Sequence, residues 1–204
     1  MDYDWDVFIS YRRKQIPIRW LEEMFLPLFV DYLEEALGGR KVKIYRDVEG
    51  IEGGDNWKKN IKSALAKSRC IVPVLLPSYF HSNWCTKEFA VIYHRQIELG
   101  FNSMENPNGL IIPLKIRDGD FFPEKVKDLQ IFNCNDFYRV GKGVESTELY
   151  IKFQEQLSKW VENVARAINN APPWNPEWMK DKWLEIPSDD FNIIESFNIP
   201  SPKL

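Results

Sequence analysis

Residues 70–77 read CIVPVLLP, and shortly after them residues 82–89 read SNWCTKEF. The first stretch is apolar without alternation, as a strand covered on both faces requires. Pro73 inside it is awkward, because a central strand uses its backbone donors on both edges. The second stretch opens a helical pattern that runs to Gly100, a stop signal, and puts Trp84 and Glu88 four apart on one face. A buried strand leading directly into a helix is half of a parallel crossover unit.

The same alternation continues in both directions. WDVFIS (5–10) reads as a buried strand, and residues 18–37 carry helical periodicity that stops at Gly38-Gly39. Pro17 falls where a first helical turn tolerates proline, whereas Pro27 predicts a kink or a split. KVKIY (41–45) is a second strand, followed by the glycine-rich acidic loop 46–56. Asp55 is placed to cap a helix with Trp57, Ile61 and Leu65 on one face. GLIIPLKI (109–116) and DLQIFNCNDF (128–137) supply two more strands, and 148–168 is a clear amphipathic helix. Strands alternating with helices predict right-handed crossovers, hence an α/β, flavodoxin-like doubly wound domain with a mainly parallel five-stranded sheet. That domain is expected over residues 1–170. The extension 171–204 holds six of the 13 prolines and three of the eight tryptophans. Its prolines oppose regular structure and its aromatics oppose a free linker, so it is expected to pack on the domain or dock a partner.

Composition narrows the function. A net charge of −3 and a pI near 5.6 offer no electrostatic case for nucleic acid. Cys70, Cys85 and Cys134 form no CxxC pair, which fits reduced thiols in a cytoplasmic protein and no metal site. His81 and His94 are too few for a dedicated zinc centre. The acidic N-terminal residues are unlike a signal peptide, and no apolar run is long enough to span a membrane.

In doubly wound sheets, ligands bind beyond the carboxyl ends of the strands, where strand order reverses. The first strand ends in Ser10, Tyr11, Arg12, Arg13 and Lys14, the second ends in the loop 46–56, and Tyr79 and the SNWCTKEF helix follow the third. Arg12 and Arg13 offer forked donors to a phosphate or pyrophosphate, although basic residues after a strand are also ordinary surface. The loop EGIEGG has neither GxGxxG nor GK[ST], so its glycines serve tight turns or a flap. Tyr79, Phe80 and Trp84 offer stacking faces or simple packing. Glu88 is either a helix-dipole partner or a catalytic carboxylate. Asp47 and Glu49 are the acids available to accompany it.

Three boxes taken in order resemble the TIR (Toll/interleukin-1 receptor) domain family, in its bacterial NAD+-cleaving form. They are DVFISYRRK (6–14), IYRDVEGIEGGDNW (44–57) and IKSALAKSRCIVPVLLPSYFHSNWCTKEF (61–89). The resemblance implies a flavodoxin-like fold, with 46–56 as the so-called BB loop. It also implies one of two roles: cleavage of NAD+ at the nicotinamide–ribose bond, or homotypic assembly without catalysis. The catalytic members carry a glutamate at the position matching Glu88, and bacterial ones a tryptophan matching Trp84. The implied substrate-binding set is Trp84, Phe8, Ser10, Tyr11, Arg12, Arg13, Asp47, Trp57 and Tyr79. NAD+ is then substrate and no cofactor is needed. Activity is expected to depend on self-association or another TIR-bearing or activating protein, in anti-phage defence. The chain departs from the family in its loop, which reads Glu52-Gly53-Gly54 where a proline is common, and in its long, interrupted first helix.

Overall fold

Two apolar strands lie side by side at the centre of the molecule. A computed structural model describes residues 2–47, 54–117, 119 and 122–184, and only the backbone of 54–58 and 183. Strand β1 (Trp5–Tyr11) pairs in parallel with β3 (Ser68–Leu75), Phe8 opposite Ile71 and Tyr11 opposite Val74. β2 (Ile44–Arg46) flanks β1, while β4 (Leu114–Lys115) and β5 (Phe132–Asn133) extend the other edge, all in parallel. The strand order is β2-β1-β3-β4-β5, the flavodoxin-like doubly wound arrangement expected from the sequence.

Because neighbouring side chains point to opposite faces, the unbroken apolar runs fill two cores. Val7, Ile9, Cys70, Val72 and Val74 face one layer of helices. That layer comprises α1 (Gln15–Trp20), α2 (Leu26–Ala36) and α6 (Glu148–Asn169). Phe8, Ile71 and Leu75 face α3 (Gly54–Ala66) and α4 (Asn83–Glu98), with the short α5 (Glu124–Lys127) at the edge. α4 and α2 end where glycines at positive φ reverse the chain, Gly100 at 69° and Gly38 at 70°.

The departures from the expected elements have local causes. The helix expected to kink or split at Pro27 is divided just before it by a π-helical turn, Leu21–Phe25. There the Leu26 amide reaches back five residues to the Leu21 carbonyl, and Pro27, with no amide of its own, opens α2 at its second position. α3 begins at Gly54, so Asp55 lies inside its first turn and is not the cap. The second strand starts at Ile44, later than the apolar pattern predicts. The Lys43 amide donates to the Asp6 carboxylate at 3.0 Å, which takes it out of the ladder. The awkward Pro73 leaves its mark on the β4 edge. Ile71 donates to the Leu110 carbonyl and accepts from the Ile112 amide, but Pro73, two residues on, offers that edge no donor. Regular pairing therefore resumes only at Val74 opposite Leu114, and the 109–116 run condenses to an isolated bridge at Ile111 and a two-residue strand.

Residues 171–184 lie against the α3–α4 side. The Tyr3 hydroxyl donates to the Pro172 carbonyl at 2.6 Å, and the Trp174 indole donates to the Ala66 carbonyl at 3.3 Å. Trp178 and Leu184 are buried in the core beneath α4, and α7 (Asp181–Leu184) closes the described chain.

Candidate active site

The three free ends anticipated from the sequence meet at one cleft of about 180 Å³, beyond the carboxyl ends of β1, β2 and β3. This is where β1 stands between β2 and β3 and strand order reverses. β1 contributes Phe8 and Tyr11, and the residues after it contribute Arg12 and Arg13; Asp47 follows β2. The opening of α4 supplies Trp84, Cys85 and Glu88 from one helical face, with Ser82 at its N-cap.

Glu88 is the centre of this arrangement. It lies in the second turn of α4, is 8% exposed, and does not serve the helix dipole as a surface carboxylate would. Ser10 Oγ donates to its Oε2 at 2.5 Å, and the Ser10 and Tyr79 hydroxyls are 2.6 Å apart. Burial pushes the Glu88 carboxyl up to about 7. The Ser10 hydrogen bond and the Arg13 charge pull it down, while the Asp47 charge pushes it further up. A carboxyl balanced near neutrality in a cleft is the kind of group that functional sites contain.

The cationic side is anchored to backbone and to acid. Arg12 donates to the Ser78 carbonyl, and Arg13 pairs with the Asp47 carboxylate. The Tyr11 hydroxyl donates to the Asp47 carbonyl at 2.8 Å, tying the end of β2 to the end of β1. Trp84 is half-buried, leaving indole surface to the cleft. Phe8 stacks on Tyr45 with centroids 5.1 Å apart, so its ring is held from behind.

Most of the anticipated residues are therefore brought together, with two displaced. Ser10 is 1% exposed and Tyr79 fully buried, and neither lines the cleft. Ser10 stands behind Glu88 and Tyr79 behind Ser10. The Trp57 side chain and Glu49 lie outside the described residues. Ile9 and Ser82 line the cleft without having been anticipated. The capping position of Ser82, just before the helix that carries Glu88, was the available signal for it. Cys85 is a wall and not a nucleophile: burial, then the Glu88 charge, pushes its thiol up to about 12. All three cysteines are buried and free. Among the described residues no group of His, Cys, Asp and Glu is arranged for a metal ion, and no helix is long and apolar enough to cross a membrane.

Comparison with known proteins places the chain in a family. The disease resistance protein RPV1 of Vitis rotundifolia is 31% identical over 96 residues, 47% of this chain and 6% of that protein. The NAD(+) hydrolase TcpA of Theionarchaea archaeon (strain DG-70-1) is 27% identical over 97 residues, 44% of this chain and 30% of that protein. The chain thus spans less than a third of either curated relative. Among solved structures, the TIR domain of the Toll-related receptor TRR-2 from Hydra magnipapillata aligns with a TM-score of 0.43 at 20% identity. It covers 74% of this chain and 98% of that one. The TIR domains of the activated Roq1 resistosome align with a TM-score of 0.36 at 20% identity, over 82% of this chain and 85% of that one. The family model for the TIR domain matches residues 7–145, more than half of the sequence, and the chain belongs to the TIR domain family.

Proposed function

We propose that this TIR domain cleaves NAD+ at the nicotinamide–ribose bond, with Glu88 as its catalytic carboxylate. The carrying observation is the placement of Glu88: a buried carboxylate, hydrogen-bonded at 2.5 Å from behind, facing a cleft that also holds two arginines and an indole. The resemblance to a relative named as an NAD(+) hydrolase supports the same reading.

Nicotinamide departs as a neutral base, taking the electron pair of the C1′–N bond, so no general acid is needed. The barrier lies in the positive charge that develops on the ribosyl ring. An ionised Glu88 beside that ring opposes the charge, and preorganised electrostatics of this kind is worth on the order of 10²–10³ in rate per group. Arg12 and Arg13 suit the pyrophosphate, and Trp84 walls the ribose or nicotinamide. Water adding to C1′ and losing a proton gives ADP-ribose. A nucleophile within the same ligand gives a cyclic isomer. Self-association completes the active form, in the service of anti-phage defence.

The test is incubation of the purified chain with NAD+, products resolved by chromatography, beside Glu88→Gln. Wild-type turnover and a loss of about 10²–10³ in the variant are expected. Undiminished turnover by a folded Glu88→Gln chain would refute the role of Glu88. No turnover at any protein concentration, together with binding to other TIR-bearing chains, would favour an assembly module.

A further inference from the structure

Tyr79, Ser10 and Glu88 form a continuous chain of oxygens from the core to the cleft, and its members come from two elements and the turn between β3 and α4. Tyr79 precedes α4, Ser10 lies in β1 and Glu88 lies in α4. The contacts are 2.6 Å and 2.5 Å, and none of the three residues is more than 8% exposed. Such short contacts in a dry setting polarise one another.

We propose that Ser10 and Tyr79 are positioning residues that orient the Glu88 carboxylate and favour its ionised form. A serine hydroxyl has one proton, and that of Ser10 is directed at Glu88. The 2.6 Å contact is then filled by the Tyr79 hydroxyl donating to Ser10 Oγ. Burial holds Tyr79 well above the ordinary tyrosine range, so its proton stays in place to donate. The chain runs in one direction, with every donor pointing toward the carboxylate. This arrangement favours the ionised carboxylate and restricts its rotation, against burial, which favours the neutral acid.

Other charged and titratable groups around Glu88 act separately. Asp47, after β2, opposes ionisation, and Arg13, after β1, assists it. Cys85 stays a neutral thiol, and Arg12 acts on Cys85. Tyr11 is engaged with the Asp47 carbonyl. None of them substitutes for a hydroxyl aimed at Oε2.

The catalytic consequence rests on the NAD+ reading above, but the hydroxyl chain itself does not. The test therefore has two readouts on the full chain, in wild type, Ser10→Ala, Tyr79→Phe and the double variant. The first is the titration of Glu88 by ¹³C NMR with carboxyl-labelled glutamate, its resonance assigned by disappearance in Glu88→Gln. The second is the pH profile of NAD+ cleavage. Ser10→Ala is expected to raise the Glu88 midpoint by about 1–2 pH units, as loss of a hydrogen bond to a charged group does. Tyr79→Phe is expected to raise it by less, and the double variant by no more than Ser10→Ala alone, because Tyr79 acts through Ser10. The rising limb of kcat should follow the same order, with KM little changed.

An unmoved midpoint in folded Ser10→Ala would overturn the proposal. So would Tyr79→Phe adding its full shift on top of Ser10→Ala. Should Ser10→Ala fail to fold, Tyr79→Phe, which removes one oxygen, decides alone: an unmoved midpoint overturns the chain and a raised one supports it. A wild type that consumes no NAD+ would end the catalytic reading, and the titration would still judge the hydroxyl chain.

Discussion

The guanidinium carbon of Arg95 lies 4.2 Å from the centre of the Trp178 ring. A cation on α4, the helix of Glu88, is thus roofed by an aromatic from beyond the last long helix. Arg95 is 1% exposed and donates to the carbonyls of Ser68, Leu65 and Ala66, and among the described residues no carboxylate accepts a hydrogen bond from it. Burial pulls its guanidinium down to about 10, still charged at neutral pH. The indole face and three carbonyls stand in for a counter-ion.

Removing the roof should be costly. Trp178→Ala is expected to destabilise the chain by about 3–5 kcal/mol, the range for a buried tryptophan cut to alanine, because it both opens a cavity and takes the aromatic face from a buried cation. Denaturant unfolding of the two proteins measures this. A loss below about 1 kcal/mol would mean that residues 171–184 are not part of the cooperative unit.

Stability should depend on pH through Glu88. Its carboxyl is raised from an ordinary 4.5 to about 7 in the folded chain. A raised value means that the folded state prefers the protonated form. The contribution is fully present below pH 4.5 and is lost as pH rises through 7. Keeping the ion buried above pH 7 costs about 3 kcal/mol. Glu88→Gln lacks that cost, so it should be the more stable protein at pH 8, with the difference shrinking toward pH 4.5. Thermal melts across that range test it, and a pH-independent difference would contradict it.

Asp47 should tune the same group in the opposite sense to Ser10. Its charge pushes the Glu88 carboxyl up, while Arg13, its ion-pair partner, pulls it down. Asp47→Asn removes the first and leaves the second. The Glu88 midpoint and the rising limb of NAD+ cleavage are both expected to move to lower pH, by on the order of one unit at most. An upward shift would show that Asp47 acts chiefly by holding Arg13 in place.

Much of this architecture is legible in the sequence alone. Continuous apolar runs such as CIVPVLLP mark strands covered on both faces, and helical periodicity with glycine stops marks the covers. These signals are local, because burial acts on each residue through its immediate neighbours. The rule that ligands gather where strand order reverses then brought Arg12, Arg13, Asp47, Trp84 and Glu88 to one rim, and the cleft holds all five.

Element edges and side-chain direction were decided in three dimensions. The amide of Lys43 left the ladder because a carboxylate of β1 was within reach, and the β4 edge thinned where Pro73 had no donor to offer. The family resemblance implies ligand contacts at Ser10 and Tyr79, yet both side chains are buried and turn away from the cleft. Ser10 and Glu88 are 78 residues apart, and Tyr3 and Pro172 are 169 apart. No periodicity encodes such pairs. Hydrogen bonds depend on ångström distances between atoms that only packing brings together, so the sequence could place residues at one rim, while which of them face the cleft and which proton each one holds depend on the fold.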